Sequence, residues 1–567
     1  MKKNSIKREK KEKTKTSKLN MTRRQTIKVI GASVFLGGVG CVESTSKANL
    51  SSNQPSPKWL QLLGTSEKGG RNYVPRVEGK LPSGLRGTLY RNGPGLFERG
   101  GVKIKHMLDG DGLVQRLNFS KDGVSYKNQF VRTAKIMSEE AVGKRLHSTW
   151  STRKSENMFD NFGGGITKSQ AGVTINPVHG KIIARDEVGP SYVVDDKTLE
   201  TIETIPLPEK LQGTSVKAHS KIDPENNEWI TLGTEFGRKM RVHVAIYEPT
   251  FKLKTNFSFE SPRSVYIHDF IATKSHIVVV LHPCNFSPFP FLLGMKSFTD
   301  SLSWDGDAGN IVAVCPREGG VPKFYEAPGS FMWHSLNGYE IEDKIIIDFV
   351  GYDKPDHFIG ENPLFETLMR GQLGNASSPG KIRRYSINLN QSRMTEEIID
   401  NGSHEFPMID DRSLMSQHQV GYFTTGALGA LNGLNSGIKR FDFKTGNNET
   451  YDFGSKTVVG EPIFASNSTN KTDEGWLLTQ CLDGVSGKSF FAVFDSHTVT
   501  KGPICKIWLI TIFQFHFMVP GKTSPNQGDG CILKMQIQRY EKRINVKFSG
   551  TQKLNEFKKV YTQVVIK

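Results

Sequence analysis

The chain has 567 residues, 36% of them hydrophobic and 23% charged, proportions that exclude a disordered chain and a multi-span membrane protein. Its net charge of +18 sits at the two ends: residues 1–28 carry twelve Lys or Arg against Glu9 and Glu12, and residues 531–567 carry nine against Glu541 and Glu556. The body between them is close to neutral, whereas a nucleic-acid binder shows its basic footprint on the folded domain. Cys41, Cys284, Cys315, Cys481, Cys505 and Cys531 show no C-x-x-C spacing, so a zinc or disulfide framework is not indicated and most read as buried free thiols.

The chain begins with an address. Thr22-Arg23-Arg24-Gln25-Thr26-Ile27-Lys28 precedes an apolar stretch, 29–39, that ends at Gly40-Cys41. A basic segment, a modest apolar run and small residues resemble a twin-arginine export signal, and the run is too short to span a bilayer. Gly38-Val39-Gly40-Cys41 also resembles a lipoprotein cleavage site, with Gly38 where Leu is usual. The expected location is therefore the periplasm or cell envelope, with association to a membrane surface if Cys41 carries lipid. The alternative is a basic tail beside a short buried segment. Residues 42–58, rich in Ser, Asn, Lys and Pro, read as a linker.

From residue 80 onward no sustained 3.6-residue apolar pattern is present. Short β-branched or aromatic runs recur instead at 87–90, 113–119, 181–184, 229–232, 276–281, 310–315 and 344–349, then at 381–387, 437–443, 475–479 and 490–494. Asp-Gly, Pro-Glu-Asn-Asn and Lys-Thr-Gly-Asn-Asn turns punctuate them. Such a train is all-β, a sandwich, barrel or propeller, and the length favours a propeller. No strict internal repeat gives a blade count.

Three histidines stand in unusual settings: His219 in Lys217-Ala218-His219-Ser220-Lys221-Ile222-Asp223, His268 opening His268-Asp269-Phe270, and His334 in Trp333-His334-Ser335-Leu336-Asn337-Gly338-Tyr339-Glu340. Singly, each reads as a structural or surface histidine. Separations of 49 and 66 residues match no local metal motif, but they suit a propeller, whose inner strands converge on one axis.

Gly87-Thr88-Leu89-Tyr90-Arg91-Asn92-Gly93-Pro94, followed by His106-Met107-Leu108-Asp109-Gly110-Asp111-Gly112, resembles the N-terminal signature of the carotenoid cleavage oxygenases. Phe130-Val131-Arg132-Thr133 and Thr198-Leu199-Glu200-Thr201 are similar to two further landmarks of that family. The resemblance runs from about residue 57 to 509. It implies a seven-bladed β-propeller over 59–509, with iron on the axis and a cap of loops and helices over a substrate tunnel. The family holds iron(II) with four histidines, and His219, His268 and His334 match the contexts of the first three. It also implies three glutamates bonded to the outer nitrogens of those histidines, best matched by Glu187, Glu405 and Glu461. Such partners fix the tautomer and raise ligand basicity. The implied reaction uses O2 to cleave a conjugated C=C bond of a lipophilic carotenoid, apocarotenoid or stilbene-like substrate into carbonyl products. An all-imidazole ligand set leaves iron(II) its full charge. Lys135, after Val131-Arg132-Thr133-Ala134, reads as a solvated surface lysine, with pairing to a substrate phenolate as the alternative. Gly93, Gly110 and Gly112 read as turn residues.

The family's last motif, Phe-His-Gly, should follow Leu509. The chain reads Ile510-Thr511-Ile512-Phe513-Gln514-Phe515-His516-Phe517-Met518-Val519-Pro520-Gly521. Back-translated and read two bases later, this stretch can give Ile-Ser-Phe-His-Gly-x-Trp, with Val, Pro, Leu and Tyr as the codon alternatives at the first four positions. The preferred reading is a shift of reading frame. It makes 510–567 an out-of-frame tail, accounts for its basic charge, and removes the strand that would close the propeller, leaving an exposed edge. The alternatives are His516 as the genuine fourth ligand, or a buried or membrane helix over 507–519. A catalytically inactive propeller, as a remnant or a binding protein, is the rival to the enzyme. An unrelated exported lactonase or lectin propeller is the third reading, and the His-Asp-Phe and Glu-Phe-Pro contexts oppose it.

Overall fold

The eleven runs fall on strands of the computed structural model, Phe443 alone lying one residue beyond its strand. The structure describes residues 58–163, 169–428, 431–467 and 471–510. The export signal, Cys41, His516 and the tail beyond Ile510 lie outside them.

The strands form seven antiparallel blades, built in chain order. Blade 1 comprises Gly87–Leu96, Asp111–Ser120, Gly123–Phe130 and the short Asn72–Tyr73; blade 2 comprises Thr174–Val178, Lys181–Arg185, Ser191–Val194 and Thr201–Ile205. Blade 3 is Ser215–Ile222, Trp229–Glu235, Arg241–Tyr247 and Leu253–Glu260, and blade 4 is Ile271–Ala272, His276–Leu281, Asn310–Pro316 and Lys323–Ala327. Blade 5 is Phe331–Ile341, Lys344–Tyr352, Gly380–Asn388 and Arg393–Asp400. Blades 6 (His404–Met408, Val420–Leu428, Leu431–Asp442, Asn448–Asp452) and 7 (Thr457–Ser466, Gly475–Asp483, Lys488–Asp495, Cys505–Trp508) are joined by the Asn435–Val459 pair. Arg91 of blade 1 donates to the Glu461 carbonyl of blade 7 at 3.0 Å, which brings first and last blades together.

Closure differs from the expectation. The N-terminal strand Arg76–Gly79 pairs with Cys505–Trp508, from Arg76 opposite Trp508 to Gly79 opposite Cys505. The Trp508 indole N–H donates to Glu78 at 2.9 Å, and the Arg76 guanidinium lies 5.4 Å over the same ring. The edge is thus covered by residues that precede Leu509, and a propeller closes without any strand from the tail. Ile507 and Trp508 are β-strand, so no helix begins at Ile507.

The motif residues beside the histidines tie blades to one another. Asn337 accepts from the Met415 amide at 3.0 Å and donates to the Ser416 carbonyl at 2.8 Å. Glu340 accepts from the Ser275 amide and the His276 ring, each at 3.0 Å, and from the Thr273 hydroxyl. At Gly338 an added Cβ would lie 2.2 Å from the Ile271 Cγ2 atom. Gly112 is not a turn residue: it sits in a strand, and a Cβ there would lie 2.1 Å from the Ala171 carbonyl oxygen.

Connections between strands carry short helices at Ala134–Val142, Pro288–Leu292 and Leu364–Thr367. None of these showed a helical period long enough to read in the sequence. Among the described residues no helix is long and apolar enough to cross a membrane. Cys284, Cys315, Cys481 and Cys505 are buried free thiols.

Candidate metal centre

Strand irregularities position the site. Pairing slips between Val216 and Ser220, between Met332 and Ser335, between Glu405 and Met408, and between Val459 and Pro462. Bulges bend a strand and re-aim its side chains. His219, His334, Glu405 and Glu461 each lie at or inside one of these slips, and His268 lies just before the strand Ile271–Ala272.

His219, His268 and His334 are at most 3% exposed, and one nitrogen of each lies within 4.8 Å of the others. The Nε2 atoms of His219 and His268 stand 2.9 Å apart. Two nitrogens each about 2.1 Å from one ion, at a right angle, would be about 3.0 Å apart. His334 Nε2 is buried with no hydrogen-bond partner. A buried, unpartnered ring nitrogen facing two others fits a divalent cation, because an unsatisfied buried polar atom is otherwise costly.

The outer nitrogens are held from behind. His334 Nδ1 lies 2.6 Å from Glu405 Oε2. His268 Nδ1 lies 2.9 Å from the Tyr266 hydroxyl and 3.1 Å from Glu187 Oε1; the hydroxyl has hydrogen-bond geometry, whereas the Glu187 contact is an off-axis charge contact. With both outer nitrogens carrying protons, Nε2 is left as a lone pair on each ring. Burial, reinforced by His268 and His334, holds the His219 pKa well below its ordinary value, so that ring is a neutral donor. Burial also lowers His268 against the pull of Glu187. At His334 burial is overridden by the Glu405 carboxylate, and the pKa is raised.

Glu187 has a second partner that sequence reasoning missed. Lys217 Nζ lies 3.1 Å from Glu187 Oε2 and 5.1 Å from the centre of the Tyr266 ring. Burial would raise the Glu187 pKa, but Lys217 and then His268 hold it below its ordinary value. Lys217 and Tyr266 each stand two positions before a site histidine, which is the signal that could have found them. Glu461 is fully buried, with the Arg91 guanidinium 3.9 Å away. The expected hydrogen bond from Glu461 to one of the three histidines is not formed: His268 and His334 are met by other residues, and Glu461 is turned to Arg91.

A further tie runs through residues adjoining the ligands. Asp269 accepts from the Ser335 amide at 2.9 Å and hydroxyl at 2.7 Å, and Lys221 Nζ lies 2.8 Å from it. This links blades 3, 4 and 5 next to the three histidines. On one side of the histidines, Tyr266, Phe331, Trp333 and Phe358 form an aromatic cluster, with the Trp333 ring 4.6 Å from His268. A cavity of about 310 Å³ is lined by Ser220 and Ser335, which adjoin His219 and His334 in the chain, and by residues such as Ile271, Leu336 and Met408.

Lys135 is not a solvated surface lysine. It is 3% exposed, and its ammonium lies 2.8 Å from Asp111 and 3.2 Å from Glu139, one helical turn away. Those two carboxylates already occupy it.

The family model described as retinal pigment epithelial membrane protein matches residues 65–518. An apocarotenoid-15,15'-oxygenase of Synechocystis sp. is 25% identical over 485 residues, covering 82% of this chain and 97% of that protein. An isoeugenol monooxygenase of Pseudomonas nitroreducens is 24% identical over 458 residues, covering 76% and 91%. A lignostilbene-alpha,beta-dioxygenase isozyme of Sphingomonas paucimobilis is 22% identical over 452 residues, covering 76% and 89%. The crystal structure of cobalt-substituted Synechocystis apocarotenoid oxygenase superposes with a TM-score of 0.74 at 24% identity, over 81% of this chain and 98% of that one.

Proposed function

Because this chain belongs to the retinal pigment epithelial membrane protein family, the carotenoid cleavage oxygenases, we infer that it uses iron(II) and O2 to cleave a conjugated C=C bond of a lipophilic small molecule. The observation that carries this reading is the convergence of three buried imidazoles with His334 Nε2 unpartnered. His219, His268 and His334 would hold the ion. Bound there, iron(II) supplies the activation of O2 that no side chain of the protein can supply.

The remaining groups orient and shield. Glu405 holds the proton on His334 Nδ1, and Tyr266 with Glu187 holds the proton on His268 Nδ1, which fixes the ring tautomers. The aromatic cluster around Trp333 is buried beside His268 and keeps water from that ring. The substrates for which these relatives are named share a conjugated double bond and differ in the rest of the molecule, so the substrate of this chain is of that class. Arg23, Arg24 and Cys41 support export to the cell envelope as part of the same proposal.

The test is oxygen uptake by the iron-loaded protein with three probes: an apocarotenal, isoeugenol and a hydroxystilbene. Uptake with at least one, with two carbonyl products per cleavage, supports the reading. Stoichiometric iron without uptake on any of the three, or on further conjugated alkenes, would reduce the protein to a metal-binding propeller.

A further inference from the structure

Burying an ammonium group is expensive unless it is paired and hydrogen-bonded. Lys217 is 3% exposed, on the strand that carries His219, and its charge is met by Glu187 Oε2 and the face of Tyr266. Both of these also contact His268 Nδ1. Lys217 is thus one contact removed from the ring of His268 by two separate routes. The strand slips between Val216 and Ser220, and the Arg185 guanidinium donates to the Lys217 carbonyl, so the backbone that places the ammonium is itself held.

The charges around the three histidines are unevenly paired. Glu461 has Arg91 beside it, and Glu187 has Lys217. Glu405, which meets His334 and the Phe406 amide, has no lysine or arginine within ion-pair distance among the described residues. A carboxylate bonded to the outer face of a ligand imidazole makes that ligand more basic and favours the higher charge on the ion. A fixed cation on the same carboxylate opposes this, and at short range in a buried site its field is weakly screened.

Resting on the metal reading above, we propose that Lys217 is a positioning residue of the centre, whose buried ammonium aligns Glu187 against His268 and biases the bound ion toward the ferrous state. It neither touches substrate nor moves a proton. Its effect reaches the metal through Glu187, Tyr266 and the His268 ring.

The test uses the full-length protein, loaded with iron under anaerobic conditions, and a spectroelectrochemical titration in which a mediator supplies the one electron that converts ferric to ferrous ion. Lys217→Met should raise the preference for ferric over ferrous ion at least tenfold, a fall of about 59 mV in potential for one electron. Lys217→Arg, which keeps the charge, should restore the wild-type value. The double variant Lys217→Met with Glu187→Gln removes both charges, and should fold where the single variant is unstable and return the potential to that of the wild type. Cobalt(II) titration of each variant reports site integrity separately. A Lys217→Met protein that binds one cobalt ion with wild-type affinity yet shows no change in potential overturns the proposal and leaves the metal reading intact. Failure of the wild-type protein to bind iron or cobalt overturns both. Equal behaviour of Lys217→Arg and Lys217→Met would show that only the lysine's shape matters, and would also overturn it.

Discussion

Replacing Glu405 by Gln isolates one charge at the metal centre. The amide keeps the size of the carboxylate, and its oxygen can still accept from the Phe406 amide, as Glu405 does now. What is lost is the charge 2.6 Å from His334 Nδ1. A charge-assisted hydrogen bond of that length is roughly twice as strong as a neutral one, and loss of such a partner typically costs about 10–100-fold in metal affinity. Glu405 lies at the short end of the range and is 95% buried, so the expected loss is near 100-fold, about 2.7 kcal/mol. Glu187→Gln should cost nearer tenfold through the histidine, because its contact with His268 is longer, off-axis and shared with Lys217. The assay is competitive titration of cobalt(II) against a chelator of known affinity, with circular dichroism as a check on folding. A Glu405→Gln protein that folds normally and binds cobalt as tightly as the wild type would refute the claim that this carboxylate supports a metal ligand.

Burial alone would raise the pKa of Glu340, but its bonds from His276, Thr273 and the Ser275 amide outweigh this and pull it down to about 2. A depressed folded-state pKa contributes stability that is present above the ordinary value of 4.5 and is lost as pH falls from there toward 2. Glu340→Gln should therefore lower stability at neutral pH by roughly 3 kcal/mol and flatten its acid dependence, read by urea titration at pH 7 and pH 3; equal losses at both would contradict this. Lys135→Met strands Asp111 and Glu139 inside the fold and should cost about 3–5 kcal/mol, whereas a change within about 0.5 kcal/mol in thermal unfolding would restore the surface reading. For the tail, the frame-corrected protein should hold more iron per chain than the protein as written, and His516→Ala should leave the latter unchanged. Equal occupancy in the two, abolished by His516→Ala, would make His516 the fourth ligand.

The strands were legible because alternation with turn punctuation is a local signal, and ten of the eleven predicted runs lie wholly within strands. The number of blades was not, because each blade buries its faces with different residues and leaves no repeat in the sequence. His219, His268 and His334 were read from their neighbours, and those neighbours have structural work of their own: Asp269, Asn337 and Glu340 tie adjacent blades. Lys217 and Tyr266 went unread because their partners, Glu187 and His268, are distant in sequence or have other evident roles. Lys135 was misread because a nine-residue helix is too short to show its period, and without the helix the spacing to Glu139 has no meaning. The closing strand was misplaced because pairing between residues 76–79 and 505–508 is a long-range contact that no local pattern announces.

The most direct test is metal stoichiometry in the wild-type protein and in His219→Ala, His268→Ala and His334→Ala, measured by elemental analysis after loading with iron(II) and gel filtration without oxygen. Iron should be bound by the wild type and largely lost in every variant, with the fold kept in each. Undiminished iron in any one of the three would contradict a centre built from all of them.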